Sequence, residues 1–130
     1  MKTLLTIALA LLCSIATQAA PNLLVEQGDR VRAIGKTLPG VPSDWHFMIV
    51  NEQTWQDIVR TKRSWSNLGN SAASNLTAHL TFVREGYALR ATDSDLRQIL
   101  AHEMGHHLCG CQDENKANFY RDKILRGEIQ

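Results

Sequence analysis

This sequence of 130 residues has no excess of positive or negative charge. Its 14 lysine and arginine residues are balanced by 13 aspartate and glutamate residues. Proteins that bind nucleic acid usually concentrate basic residues on one face, so we expect no nucleic-acid partner. The sequence also contains no internal repeat and no low-complexity segment, which argues against a repeat architecture.

Long hydrophobic runs are missing as well, apart from one at the N-terminus. Lys2 precedes an apolar run, Leu4 to Ile15, that is followed by the small residues Ala19 and Ala20. This pattern is typical of a secretory signal peptide, and the run is shorter than the about 20 residues that a membrane-spanning helix needs. We therefore expect a signal peptide at residues 1–19, a single domain at residues 20–130, and a secreted or periplasmic protein with no membrane span after signal removal.

Cysteine is scarce, with three residues in the chain. Cys13 leaves with the signal peptide, so the mature protein keeps Cys109 and Cys111. In an oxidising compartment, two remaining cysteines favour a disulfide, which would fix the turn that carries them. A pair of free thiols, a redox-active pair and an extra pair of metal ligands are the alternatives.

The most informative stretch is a His-Glu-x-x-His motif formed by His102, Glu103 and His106. In an α-helix, residues four positions apart lie on the same face, so both imidazoles can bind one metal ion. Neutral imidazole together with carboxylate suits Zn²⁺, and we expect one zinc ion as the cofactor. Glu103 then lies at the edge of the site, where its carboxylate can activate a water molecule.

The residues around the motif predict the helix that a metal site requires. Thr92 is a favourable N-cap before the helix, and Gly110 stands where a helix-ending glycine is common. Between them, Leu96, Leu100, Met104 and Leu108 recur every four residues, which predicts a stripe that faces the core.

A second motif follows in Glu114, Ala117 and Asn118. Together the two motifs resemble those of the gluzincin zinc metallopeptidases, in which a second helix supplies a glutamate within an E-x-x-A-[N/D] pattern. The resemblance implies that Glu114 is the third metal ligand. Asn118 shares its helix face and is expected to hydrogen-bond the outer nitrogen of His102. The small Ala117 would let the two helices approach closely.

The resemblance also gives Glu103 the role of general base in peptide-bond hydrolysis, with a peptide or protein as the substrate. Asp113 competes with Glu114 as the third ligand, although we favour Asp113 as the N-cap of the last helix. Other functions remain open: a non-catalytic secreted metal-binding protein, a module that needs a partner to complete its cleft, and a redox protein that uses its cysteine pair.

The whole pattern predicts an α+β fold, a minimal zincin-like domain in which a small antiparallel hairpin packs on the motif helix and a C-terminal ligand helix. Three side chains outside the motifs are candidates for substrate or oxyanion contacts: His79, Tyr120 and Trp65, the last as an aromatic substrate contact. Solvent exposure is the alternative for His79, and packing is the alternative for Tyr120 and Trp65. The other predicted elements are a helix from Asn22 to Leu38, a strand from Trp45 to Val50, a helix from Glu52 to Arg60, a loop from Lys62 to Ser74, strands from Leu76 to Val83 and from Tyr87 to Arg90, and a helix from Asp113 to Arg126.

Overall fold

Helices and strands follow one another along the chain in an α+β arrangement, as predicted. A computed structural model describes residues 23–61 and 70–130, so the predicted signal peptide and much of the predicted loop lie outside the described residues. The described residues form five helices and one three-stranded sheet, and none of these helices is long and apolar enough to cross a membrane. The helices are α1 at 23–36, α2 at Glu52–Thr61, α3 at Glu85–Ala88, α4 at Asp93–Cys109 and α5 at Glu114–Leu125. The strands are β1 at His46–Val50, β2 at Ala72–Asn75 and β3 at Leu80–Arg84.

The sheet is mixed, so the prediction of an antiparallel sheet is only partly right. β3 is the central strand, parallel to β1 and antiparallel to β2. β2 is therefore an edge strand of this sheet. The predicted loop from Lys62 to Ser74 is wrong at its C-terminal end, where β2 begins. The sequence of β2, Ala-Ala-Ser-Asn, has a weak β-propensity, and it becomes a strand because it pairs with β3.

The predicted hairpin is displaced along the chain. Residues 76–79 form its turn, and the predicted return strand, Tyr87 to Arg90, instead belongs to α3 and the turn that follows. In the hairpin turn, the Asn75 side chain accepts a hydrogen bond from the Ala78 N–H at 3.0 Å, and His79 has a left-handed φ of 51°. Asparagine side chains often stabilise turns in this way, which explains why the chain reverses here.

The motif helix α4 forms as predicted, with both of its predicted ends. The Thr92 hydroxyl accepts a hydrogen bond from the Asp95 N–H at 3.1 Å, and the Asp95 carboxylate accepts one from the Thr92 N–H at 2.9 Å. These two bonds satisfy backbone donors that the first turn of a helix leaves free. At the other end, Gly110 has a left-handed φ of 58°, a conformation that suits glycine.

Two apolar clusters hold the sheet and the helices together. The larger one contains the predicted stripe of α4, because Leu96, Leu100 and Met104 are fully buried in it together with Trp45. The smaller one forms around Trp55 of α2. α4 is therefore fixed to the core along one face, which leaves the histidines of the motif on another.

The helices α4 and α5 cross closely at Gly105. A Cβ atom added to Gly105 would lie 2.2 Å from the carbonyl oxygen of Ala117, and Ala117 itself is fully buried. Small residues at both positions thus allow the two helix backbones to meet, as the sequence predicts for Ala117. The crossing brings the first turn of α5 next to the motif histidines.

Gly105→Ala should destabilise the protein. The added methyl group would meet backbone atoms rather than a flexible side chain, so we expect the free energy of unfolding to fall by about 1–3 kcal/mol or more. Gly28→Ala in α1 is the matched control, because its new Cβ meets only the flexible guanidinium of Arg32, at 3.4 Å. Urea unfolding followed by circular dichroism measures both variants, and equal stabilities would contradict the close crossing.

Candidate metal centre

Three side chains from α4 and α5 converge beside the crossing. His102, His106 and Glu114 each offer one ligand atom, and these atoms all lie within 4.8 Å of one another. Glu114 Oε2 lies 2.9 Å from His102 Nε2, and Glu114 Oε1 lies 3.4 Å from His106 Nε2. In a tetrahedral site with bonds of about 2.1 Å, the ligand atoms lie about 3.4 Å apart. The group can therefore hold one metal ion.

The tautomer of His102 is fixed by its neighbours. His102 Nδ1 lies 2.9 Å from Asn118 Oδ1, and Arg121 Nη1 donates to the same oxygen at 3.0 Å. Because a guanidinium only donates, the Asn118 atom must be the carbonyl oxygen, so His102 Nδ1 carries the proton. His102 Nε2, which faces Glu114, is then the nitrogen that can bind a metal ion. The predicted contact between Asn118 and His102 is present.

His106 is oriented by the turn that follows α4. Its Nδ1 lies 2.9 Å from the backbone carbonyl oxygen of Cys111, which can only accept, so Nδ1 donates and Nε2 is the nitrogen that can bind a metal ion. Cys111 is joined to Cys109 by a disulfide, the pairing that the sequence favours. The disulfide therefore closes the turn whose carbonyl group orients one histidine of the cluster.

The two acidic residues at the start of α5 have different roles. The Asp113 side chain accepts a hydrogen bond from the Lys116 backbone N–H at 3.0 Å, which makes Asp113 the N-cap of the helix. Glu114, one residue later, reaches both histidines. The structure thus places Glu114 rather than Asp113 beside the motif.

Glu103 lies next to the cluster and is only 6% exposed. Ser74 Oγ donates a hydrogen bond to Glu103 Oε2 at 2.7 Å. Burial raises the pKa of the Glu103 carboxyl, and the hydrogen bond from Ser74 opposes that rise, as do the nearby His106 and His102. A buried carboxyl with a raised pKa is common among groups that exchange protons with substrates.

A cleft with a volume of about 360 Å³ opens over the cluster. Small-molecule sites commonly have volumes of about 300–1,000 Å³, so this cleft is at the small end of that range. α4 lines the cleft with Ile99 and the three motif residues. β2 and its flanking residues also line it, namely Asn70, Ser71, Ala72, Ser74 and Leu76. The edge strand and the cluster of candidate ligands therefore share one cleft.

Of the three further candidates from the sequence, Trp65 lies outside the described residues, and the other two lie away from the cleft. His79 Nδ1 lies 2.9 Å from Asp44 Oδ2, and its ring stacks on Trp45. Tyr120 packs edge to face against Phe119, with ring centroids 5.4 Å apart. Neither His79 nor Tyr120 lines the cleft, and their described contacts are those of packing and surface residues.

The sequence does not predict two residues of the site, Ser74 and Gly105. A glycine in the middle of a helix, where alanine is the better helix former, does indicate a close backbone approach, and that signal is available for Gly105. No local signal marks Ser74, because its role depends on the pairing of β2 with β3 and on the packing of β2 against α4.

Comparison with known proteins gave no relative: no family model, curated protein or solved structure matches this chain. The geometry of the cluster and its cleft is therefore the basis on which a function can be proposed.

Glu114→Ala should remove metal binding, and Asp113→Ala should not. Loss of an outer partner of a metal ligand lowers affinity by about 10–100-fold, so loss of the ligand itself should cost more than that. Asp113→Ala should instead lower the free energy of unfolding by about 1 kcal/mol, because it removes a helix cap. Calorimetric titration of each variant with Zn²⁺, alongside urea unfolding, separates the two roles. The reverse result would make Asp113 the ligand.

Breaking the disulfide should weaken metal binding without removing a ligand. With Cys109→Ser and Cys111→Ser combined, the turn that orients His106 is held less firmly, so we expect the affinity for Zn²⁺ to fall by about tenfold. Competition with a chromophoric chelator measures the affinity, and circular dichroism checks that the double variant is folded. A folded variant with the affinity of the parent would show that the disulfide plays no part in orienting His106.

Proposed function

We propose that this protein is a secreted zinc-dependent metallopeptidase. The observation that carries the proposal is the placement of the His102, His106 and Glu114 cluster in one cleft with the buried carboxylate of Glu103. Two imidazoles and one carboxylate form a ligand set typical of catalytic zinc sites, which keep a fourth position for water or substrate. Secretion is inferred from the N-terminal sequence pattern.

Glu103 is the general base of the proposed reaction. A bound Zn²⁺ would supply Lewis acidity, which acidifies water and polarises a carbonyl group. Ser74 occupies Glu103 Oε2, so Oε1 is the oxygen that accepts the proton of the attacking water. Glu103 then passes this proton to the leaving amine, which completes hydrolysis of the peptide bond. Because Nδ1 of His102 and Nδ1 of His106 each donate to a fixed oxygen, the two Nε2 atoms are the ones that would bind the metal ion.

The edge strand β2 supports a peptide as the substrate. Ala72 and Ser74 line the cleft, and within the described part of the chain β2 pairs with β3 alone. An extended peptide can therefore add to its free edge, where main-chain hydrogen bonds give affinity with modest side-chain selectivity. An edge strand beside the motif helix is also the zincin-like arrangement that the resemblance to gluzincins implies.

Glu103→Gln should abolish most hydrolysis while it preserves the fold and metal binding. General-base catalysis contributes about 10²–10⁴-fold, so we expect kcat to fall within that range. The test is the hydrolysis of a mixed peptide library by the zinc-loaded mature protein, read by mass spectrometry. Glu26→Gln, a change at an exposed glutamate of α1, is the matched control and should cleave like the parent.

A chelator should also stop the reaction, and added Zn²⁺ should restore it. Cleavage by Glu103→Gln at the rate of the parent would contradict the assigned role of Glu103. Absence of cleavage by folded, zinc-loaded parent protein would contradict the peptidase proposal and favour a non-catalytic or partner-dependent metal-binding protein.

A further inference from the structure

A chain of buried hydrogen bonds runs from the core to Glu103. Trp45 Nε1 donates to Thr81 Oγ1 at 3.0 Å, and Thr81 Oγ1 lies 2.8 Å from Ser74 Oγ. Ser74 Oγ in turn donates to Glu103 Oε2 at 2.7 Å. All four side chains are buried. The chain therefore links the carboxylate in the cleft to a tryptophan in the core.

Trp45 sets the direction of the whole chain. An indole N–H only donates, so Thr81 Oγ1 must accept at that end. The described acceptor for the Thr81 hydroxyl proton is Ser74 Oγ, and the Ser74 proton then points to Glu103. If the chain ran in the opposite direction, the Thr81 proton would be buried without an acceptor, which is unfavourable. Every group in the chain is satisfied only when Glu103 accepts.

We propose that Ser74 is a positioning residue for Glu103. Its hydroxyl, ordered by Thr81 and Trp45, holds Glu103 Oε2 and leaves Oε1 directed to the cleft as a proton acceptor. The consequence for catalysis rests on the proposed peptidase function, whereas the hydrogen bond by which Ser74 positions Glu103 does not. Because Ser74 belongs to β2, the strand that would bind the peptide also fixes the base. A peptide seated on β2 would thus be placed in register with Glu103.

The kinetic test compares variants of the zinc-loaded mature protein. Ser74→Ala should lower kcat by about 10–100-fold, the effect of losing one hydrogen bond to a charged group, with KM and Zn²⁺ affinity unchanged. Thr81→Val interrupts the row of hydrogen bonds one step before Ser74 and should also lower kcat. Thr81→Ser keeps the hydroxyl and should retain more activity than Thr81→Val. Thr77→Ala removes an exposed hydroxyl from the same hairpin and is the matched control.

A purely structural role for Ser74 predicts a different pattern. In that case Ser74→Ala would lower the urea midpoint or raise KM, and kcat would match that of the parent. Such a result would overturn the proposal. If Ser74→Ala does not fold, the comparison of Thr81→Val with Thr81→Ser decides. Thr81→Val leaves Ser74 in place but removes the hydroxyl that orders it and that accepts from Trp45, whereas Thr81→Ser keeps that hydroxyl.

A second readout needs no activity. In the metal-free protein, the infrared difference between the parent and Glu103→Gln isolates the carboxylate stretch of Glu103. The same difference measured in a Ser74→Ala background should show this band shifted, because the carboxylate has lost a hydrogen bond. An unchanged band would overturn the positioning role. A shifted band in a protein that hydrolyses no peptide would support the hold of Ser74 on Glu103 and contradict the peptidase function.

Discussion

The close crossing of α4 and α5 at Gly105 and Ala117 is the contact on which the rest of the site depends. The motif alone provides two histidines on one face of a helix, and a metal ion needs at least one more ligand. Helices normally pack with their axes 8–10 Å apart, and small residues at the contact allow the shorter end of that range. At this crossing Glu114 reaches the Nε2 atoms of both histidines. The glycine that weakens α4 as an isolated helix thereby makes the cluster possible.

The sheet contributes the second half of the site. α5 and the turn before it orient the histidines, through Asn118 and through the carbonyl oxygen of Cys111. Glu103 is instead held from the opposite side, by Ser74 on β2. The two histidines and Glu103 are thus held by separate elements, although all three lie on α4. This division explains how a small fold can bury a carboxylate beside a cluster of candidate metal ligands, because each polar group has a partner of its own.

The sequence predicts the parts of this structure that are encoded locally. The capping residue Thr92, the terminal glycine Gly110 and the stripe of leucines are readable because caps and helical periodicity involve neighbours within a few turns. The mixed sheet, the displaced hairpin and the role of Ser74 are not readable in this way. They depend on pairing between distant segments, and the weak β-propensity of the β2 sequence does not indicate that this segment forms a strand. The pairing of His102 with His106 is local in this sense. The prediction of Glu114 comes from the resemblance of its motif, and the contact of Ser74 with Glu103 has no local signal.

The most direct test of the account is X-ray absorption at the zinc edge of the mature protein loaded with one equivalent of Zn²⁺. The account predicts a nearest shell of nitrogen and oxygen only, at about 2.0–2.2 Å, with the outer scattering of two imidazoles. A sulfur neighbour at about 2.3 Å would place a cysteine on the metal and contradict the assignment. Scattering without the imidazole pattern would contradict it equally, because His102 and His106 would then not be the ligands.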